Sequence, residues 1–431
     1  MEHLIPAWML IPFVVMLLCI AILPLTKVGE WWESNLHKLY VSLILGIPVG
    51  IWLYANGMGE KLSHQMVYDY VPFILLLMAL FVTTGGIRIK GDLVASPITN
   101  TGILALGWVL ASFMGTTGAA MLLIRLLIQT NSQRLYKAHT ILFFIALVAN
   151  CGGLLTPLGD PPLFLLFQKG AEFTWFFSLT PEWATAGLLL LATYFCFDTY
   201  YYRREPAENR KADLAERTAI SISGLINIFW LLCVIASTMF INGKYIPAMA
   251  EADAPFYIKL LREWAFIFII VMSMVTTKKE TRIENNFSWT PILEVACVFC
   301  GIFATMTPAL MFLSSMKEEI QQVLSEPWHY VYCTGALSAF LDNAPTAMVF
   351  NEMAPENPDI PGLASDVFLR AVSMGAVFFG SLTYIGNGPN FMIKSIAEQS
   401  GIKMPSFFGY MGKFSLVVCL PIYIIVQLIF F

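Results

Sequence analysis

The 431-residue chain is 58% hydrophobic and only 13% charged, with 33 Phe and 11 Trp, whereas an ordinary soluble domain is roughly 25% charged. Too few charges remain to cover soluble surfaces, and a net charge of −4 gives no basic footprint, so no nucleic-acid partner is expected. These numbers leave a polytopic membrane protein in contact with lipid.

An apolar run of about 20 residues spans a bilayer. In chain order, spans are expected at 4–25, 37–55 and 67–89. The next two apolar segments are interrupted. Segment 99–131 breaks at Gly115-Thr116-Thr117-Gly118, and 137–170 breaks across Thr156-Pro157-Leu158-Gly159-Asp160-Pro161-Pro162. A span at 181–202 and a basic linker at 203–217 follow, then spans at 218–242, 258–277 and 289–314. Segments 325–356 and 366–400 are interrupted again, by Asp342-Asn343-Ala344-Pro345 and by the stretch from Thr383 to Pro389, before a last span at 407–431. Met1 to Ile5 carry no positive charge, so no cleavable signal is expected. The eight cysteines sit mostly in apolar runs. The Cys297-x-x-Cys300 pair lacks a second pair, so a role as small apolar filler is expected rather than zinc binding or redox chemistry.

The interruptions repeat at one spacing. Phe113 to Met121 reads FMGTTGAAM, and 227 residues later Phe340 to Met348 reads FLDNAPTAM. Thr156-x-x-Gly159-Asp160-x-Pro162 returns at the same spacing as Thr383-x-x-Gly386-Asn387-x-Pro389. Two repeats are therefore expected, 1–202 and 218–431. The arms of 99–131 and 325–356 are too short to cross twice, so both segments are read as re-entrant hairpins, and 137–170 and 366–400 as single crossings by broken helices. The predicted fold is thus an all-α polytopic membrane protein: two inverted repeats of five transmembrane crossings plus one re-entrant hairpin each, with broken helices at the midplane. Arg203, Arg204, Arg210, Lys211 and Arg217 place the linker in the cytoplasm. That topology puts 17 of the 25 Lys and Arg inside and 7 outside, with Arg125 in a hairpin. It also makes both termini periplasmic in a bacterial inner membrane.

Paired breaks point to a transporter's binding site. Asp160 and Asp342 are the candidate Na⁺ ligands, since a carboxylate in an apolar segment needs a cavity or a partner. The plain alternative for each is a helix cap ahead of the next half-helix. Thr116, Thr117, Asn150, Thr156, Asn343, Thr346, Thr383, Asn387 and Asn390 supply further oxygen ligands, which hard cations prefer. In the repeat, Asp160 aligns with Asn387 and Asp342 with Gly115, so the acids are asymmetric on a symmetric scaffold. Burial favours a neutral carboxyl and a bound cation favours the ionised one, which opposes Na⁺ to H⁺ at one site. Arg125 could contact an anionic substrate or an intramembrane acid, or snorkel from a hairpin end. Glu294 is read chiefly as interfacial. Tyr68-Asp69, Leu158-Gly159-Asp160 and Pro308-Ala309-Leu310 mimic motifs of an intramembrane aspartyl protease, but Pro157 replaces the first Gly and the duplication has no purpose in such an enzyme. No GxxxxGK[ST] occurs, so neither an ATP-driven pump nor an enzyme is expected.

Ser338-Ala339-Phe340-Leu341-Asp342-Asn343, followed by Pro345-Thr346, resembles the NhaD-type sodium/proton antiporters of the ion transporter superfamily, in their citrate-transporter-like branch. So does Gly152-Gly153 followed by Thr156-Pro157-Leu158-Gly159-Asp160. Pro161-Pro162 and Ala344-Pro345 stand where many antiporters have hydroxyl residues. The resemblance implies a scaffold and a transport domain, elevator movement, a homodimer, and Na⁺ exchanged for H⁺ with no cofactor. The alternative substrate is citrate or a dicarboxylate, a small organic anion, carried with Na⁺ or H⁺.

Overall fold

The computed structural model describes residues 5–215, 217–251 and 253–431. The start of the span expected at 4–25, Glu216 of the expected linker and Ala252 of the second repeat lie outside them. The chain is an all-α polytopic membrane protein, and among the described residues six helices are long and apolar enough to cross a bilayer.

The first half holds α1 (Ile11–Ile22), α2 (Asn35–Ala55) and α3 (Val71–Thr84), the last being the end of a continuous helix from Gly59. After them come α4 (Pro97–Met114), α5 (Thr116–Thr130), α6 (Ala138–Leu147), α7 (Pro161–Gln168) and α8 (Thr180–Arg204). The second half holds α9 (Ile226–Phe240), α10 (Leu261–Thr276), α11 (Thr290–Ser315), α12 (Pro327–Ser338), α13 (Asn343–Met353), α14 (Asp366–Phe379), α15 (Gly388–Gln399) and α16 (Phe407–Phe430). Helices α4 and α5 form one hairpin and α12 and α13 the other. Pro97 starts α4 behind a Ser96 cap that accepts from Thr99 N at 3.1 Å. The hairpin turns at Gly115, whose φ of +79° suits only glycine there.

One expected span starts late. Residues 218–223 form a strand, β2 (Thr218–Ser223), antiparallel to β1 (Arg88–Asp92), and α9 begins only at Ile226. The reason is period: Thr-Ala-Ile-Ser-Ile-Ser alternates small polar with apolar residues, which fits a strand rather than a spanning helix. The ribbon lashes the linker to the end of α3.

Packing exchanges partners between the halves. Helix α2 packs on α11 and α3 on α10, while hairpin arm α13 packs on α7 and α5 on α15. At the first crossing Ser42 Oγ donates to Cys297 O at 2.7 Å, the close approach that small residues allow between apolar helices. Large apolar side chains such as Ile44, Ile51, Phe229 and Leu232 stay exposed on α2 and α9, as suits a lipid-facing surface. Arg282 clasps two helix ends, donating to Val82 O at 2.9 Å and Ser273 O at 3.1 Å. A cation there complements both C-terminal dipoles. Burial lowers its guanidinium to about 10, so it stays charged at neutral pH. Near the linker, Arg134 meets Asp198 at 2.7 Å, and His139 meets the same carboxylate at 2.8 Å. Glu205 accepts from Leu135 N and Tyr136 N, and Asp213 from Ala95 N.

Candidate functional site

The four interruptions meet. Helices α5, α7, α13 and α15 all begin at one cavity of about 120 Å³, with Thr116, Asp160, Asn343 and Asn387 at their first turns. Its opposite wall is apolar: Leu76, Leu80 and Phe81 from α3, and Val295 and Phe299 from α11.

The breaks form because the backbone leaves the helix where Thr, Gly and Pro recur. Thr156 Oγ1 donates to Ser112 O and accepts from Leu158 N at 3.2 Å, stapling the first broken segment to its hairpin. Thr383 Oγ1 does the same with Ala339 O and Ile385 N, each partner 227 residues further on. Gly159 N closes a turn onto Thr156 O, and Gly159 O accepts from Thr116 N at 2.8 Å. The two broken segments differ in how their carbonyls are used. In the second, Tyr410 and Ser415 hydroxyls donate to Ser381 O and Leu382 O, and Asn390 Nδ2 takes Gly380 O and Thr383 O. The residues of the first half that align with Tyr410 and Ser415 are Trp183, whose Nε1 has no hydrogen-bond partner, and Leu188, which has no donor.

The two acids take different roles. Asp160 is 1% exposed and makes no cap bond to its own helix. Its carboxylate instead accepts from Thr116 Oγ1 at 3.1 Å, from Asn387 Nδ2 at 3.1 Å and from Asn343 Nδ2. These donors come from three other half-helices. Asp342 does cap: its Oδ1 accepts from Ala344 N at 3.0 Å, while Thr346 Oγ1 donates to its main-chain carbonyl at 2.9 Å. Both carboxyl groups line the cavity, and no Lys, Arg or His does so among the described residues.

Of the residues expected at the site, Asp160, Asp342, Asn343, Thr116, Thr117 and Asn387 line the cavity. Asn150, Thr156, Thr346, Thr383 and Asn390 stand behind it. Asn150 Nδ2 donates to Asn390 Oδ1 at 2.8 Å, and Asn387 Nδ2 also reaches Ala149 O at 2.9 Å, so this layer joins the two breaks. Arg125 does not reach the cavity and lies in a separate crevice. Glu294 pairs with Lys38 between α11 and α2, and Asp69 with Lys169 at 3.4 Å, so Asp69 and Asp160 form no aspartyl pair. Sequence reasoning missed the apolar wall, because Leu and Phe in a spanning helix carry no signal that separates a cavity wall from a lipid face.

A search of curated proteins returns no match. The family model described as "Putative citrate transport" matches residues 2–431. Helical, polytopic and broken in four places around one small cavity, the chain belongs to that family, a citrate-transporter-like group of membrane carriers.

Proposed function

We propose that the protein is a secondary active transporter for citrate or a related small carboxylate, driven by Na⁺ or H⁺. One observation carries the reading. Four half-helices present their N-termini to a cavity whose only ionisable groups, among the described residues, are Asp160 and Asp342. Helix N-termini favour an anion. Two carboxylates with no basic residue beside them favour a cation or protons. A site that holds both kinds of charge suits coupled carriage of an organic anion better than Na⁺/H⁺ exchange alone, and the family description agrees. Na⁺/H⁺ antiport of the NhaD kind is the second reading, supported by the two acids. In either case Asp160 binds the coupling ion, and Thr116, Asn343 and Asn387 hold its carboxylate in place.

Around this site the chain is read as two inverted halves, 1–202 and 218–431, with ten crossings in all and both termini outside a bacterial inner membrane. The partner exchange between halves and the recurring threonine staples support this reading. The hairpins and broken helices move together as the carrying unit against α2, α3, α10 and α11, in a homodimer. Labelled citrate uptake into proteoliposomes, under an imposed Na⁺ or H⁺ gradient and without ATP, tests the proposal. Gradient-dependent accumulation is expected. A pH-dye response to Na⁺ or Li⁺ without citrate uptake would replace it by the antiport reading.

A further inference from the structure

On the linker side of the molecule, further along α5 from the Asp160 cavity, a crevice of about 390 Å³ opens between α5, the β1 strand and the turn before α11. It is continuous, through Arg125 and Gln129, with a second hollow that reaches Lys137. Arg88, Lys90 and Arg125 line the first part. The acids near them are Glu284, which pairs with Arg88, and Asp92 at the rim of the second hollow.

Arg125 is the informative member. It sits on an otherwise apolar hairpin arm, where a guanidinium is costly unless it faces water or a partner. No salt bridge to an acid is formed by Arg125 among the described residues. Its neighbour is neutral: with the amide oxygen turned toward the guanidinium, Asn286 accepts from both Nη atoms at 3.0 and 3.1 Å. Asn286 has a φ of +51°, the one positive value outside glycine among the described residues, and it closes the helix Lys279–Glu284 in the left-handed turn that asparagine readily adopts. Arg88 lies close enough for its charge to act on Arg125. Two guanidinium groups and an ammonium thus face one wet crevice, with the amides of Gln129, Asn285 and Gln399 among its walls.

We propose that this crevice is a binding site for a compact soluble polyanion, phosphate-like or polycarboxylate, held by Arg125, Arg88 and Lys90. Guanidinium forks bind such oxyanions in bidentate fashion. The site is independent of whatever the Asp160 cavity transports. Thr116 starts α5 at the cavity, and Arg125 lies nine residues along the same helix, about 13 Å away by helix rise. An anion bound there ties α5 to β1, and so ties a hairpin to the ribbon that holds the linker. It would oppose movement of that hairpin from the linker side.

The test is calorimetric titration of the full-length protein in neutral-lipid nanodiscs with inorganic phosphate, and separately with citrate. Phosphate is expected to bind, more weakly as salt rises, and equally in Asp160→Asn. The double variant Arg125→Gln/Lys90→Gln is expected to lose about tenfold or more in phosphate affinity, with an unchanged melting temperature and elution profile, whereas Arg125→Lys, which keeps the charge but not the fork, is expected to lose less. Nanodiscs containing phosphatidic acid separate the sources: if they leave phosphate binding intact, the site serves a soluble anion, and if they abolish it, a headgroup occupies the same cations. Equal phosphate affinity in the double variant and the parent overturns the proposal, as does loss of phosphate binding in Asp160→Asn. Absence of citrate transport with phosphate binding retained would count only against the transport reading.

Discussion

Asp160 accepts from three neutral donors and caps nothing, whereas Asp342 caps α13. This difference separates the effects of one substitution at the two positions. Asparagine is nearly as good an N-cap as aspartate, so Asp342→Asn should fold with its melting temperature little changed. Asp160→Asn keeps the shape but removes the charge that, on the proposed reading, holds the coupling ion. It should lower gradient-driven citrate uptake by roughly ten- to a hundredfold, the cost of one charged ligand. Uptake at the parent rate in normally expressed Asp160→Asn would remove the ion-binding role. Both acids were legible in the sequence because each interrupts an apolar run. Their division of labour was not, since whether a carboxylate turns to its own backbone or to Asn343 and Asn387 depends on helices that lie more than 180 residues away.

The broken segments depend on backbone touching backbone. A Cβ added at Gly159 would lie 2.1 Å from Gly153 O, whereas one at Gly388 would meet nothing within 4 Å. Gly159→Ala should therefore destabilise the protein by about 3 kcal/mol or more or prevent folding, and Gly388→Ala should be tolerated. Thermal unfolding in detergent separates the two, and equal melting temperatures would refute the close-packed break. At this scale turn residues that cut an apolar run mark where the helices break, although the arm Pro97–Met114, at 18 residues, is by itself long and apolar enough to cross a bilayer. The sequence misled at 218–223, where two isoleucines prolonged an apolar average but the alternation belonged to a strand. The apolar wall of the cavity was invisible for a related reason: side chains facing lipid and those facing the hairpins have the same composition.

The proposed orientation of the whole molecule rests on where its basic residues lie. Glu208 is exposed on the linker helix Ala207–Ala215. A cysteine placed there by Glu208→Cys should react with a membrane-impermeant maleimide only after the cytoplasmic face is opened. Labelling of intact cells would reverse the topology. Cys196, the one exposed native cysteine, must be replaced first. The exchange of partners between halves has a consequence for Asp160. Asp160 and Asn387 occupy equivalent positions 227 residues apart and are hydrogen-bonded to each other at 3.1 Å. On the proposed reading of two inverted halves, a residue that touches its own counterpart sits where those halves face one another. An aspartate at 387 would set two carboxyl groups at that range, and they could not both ionise. One acid facing one amide avoids that shared proton. Asn387→Asp should therefore give ion-coupled uptake an additional, displaced pH dependence relative to the parent.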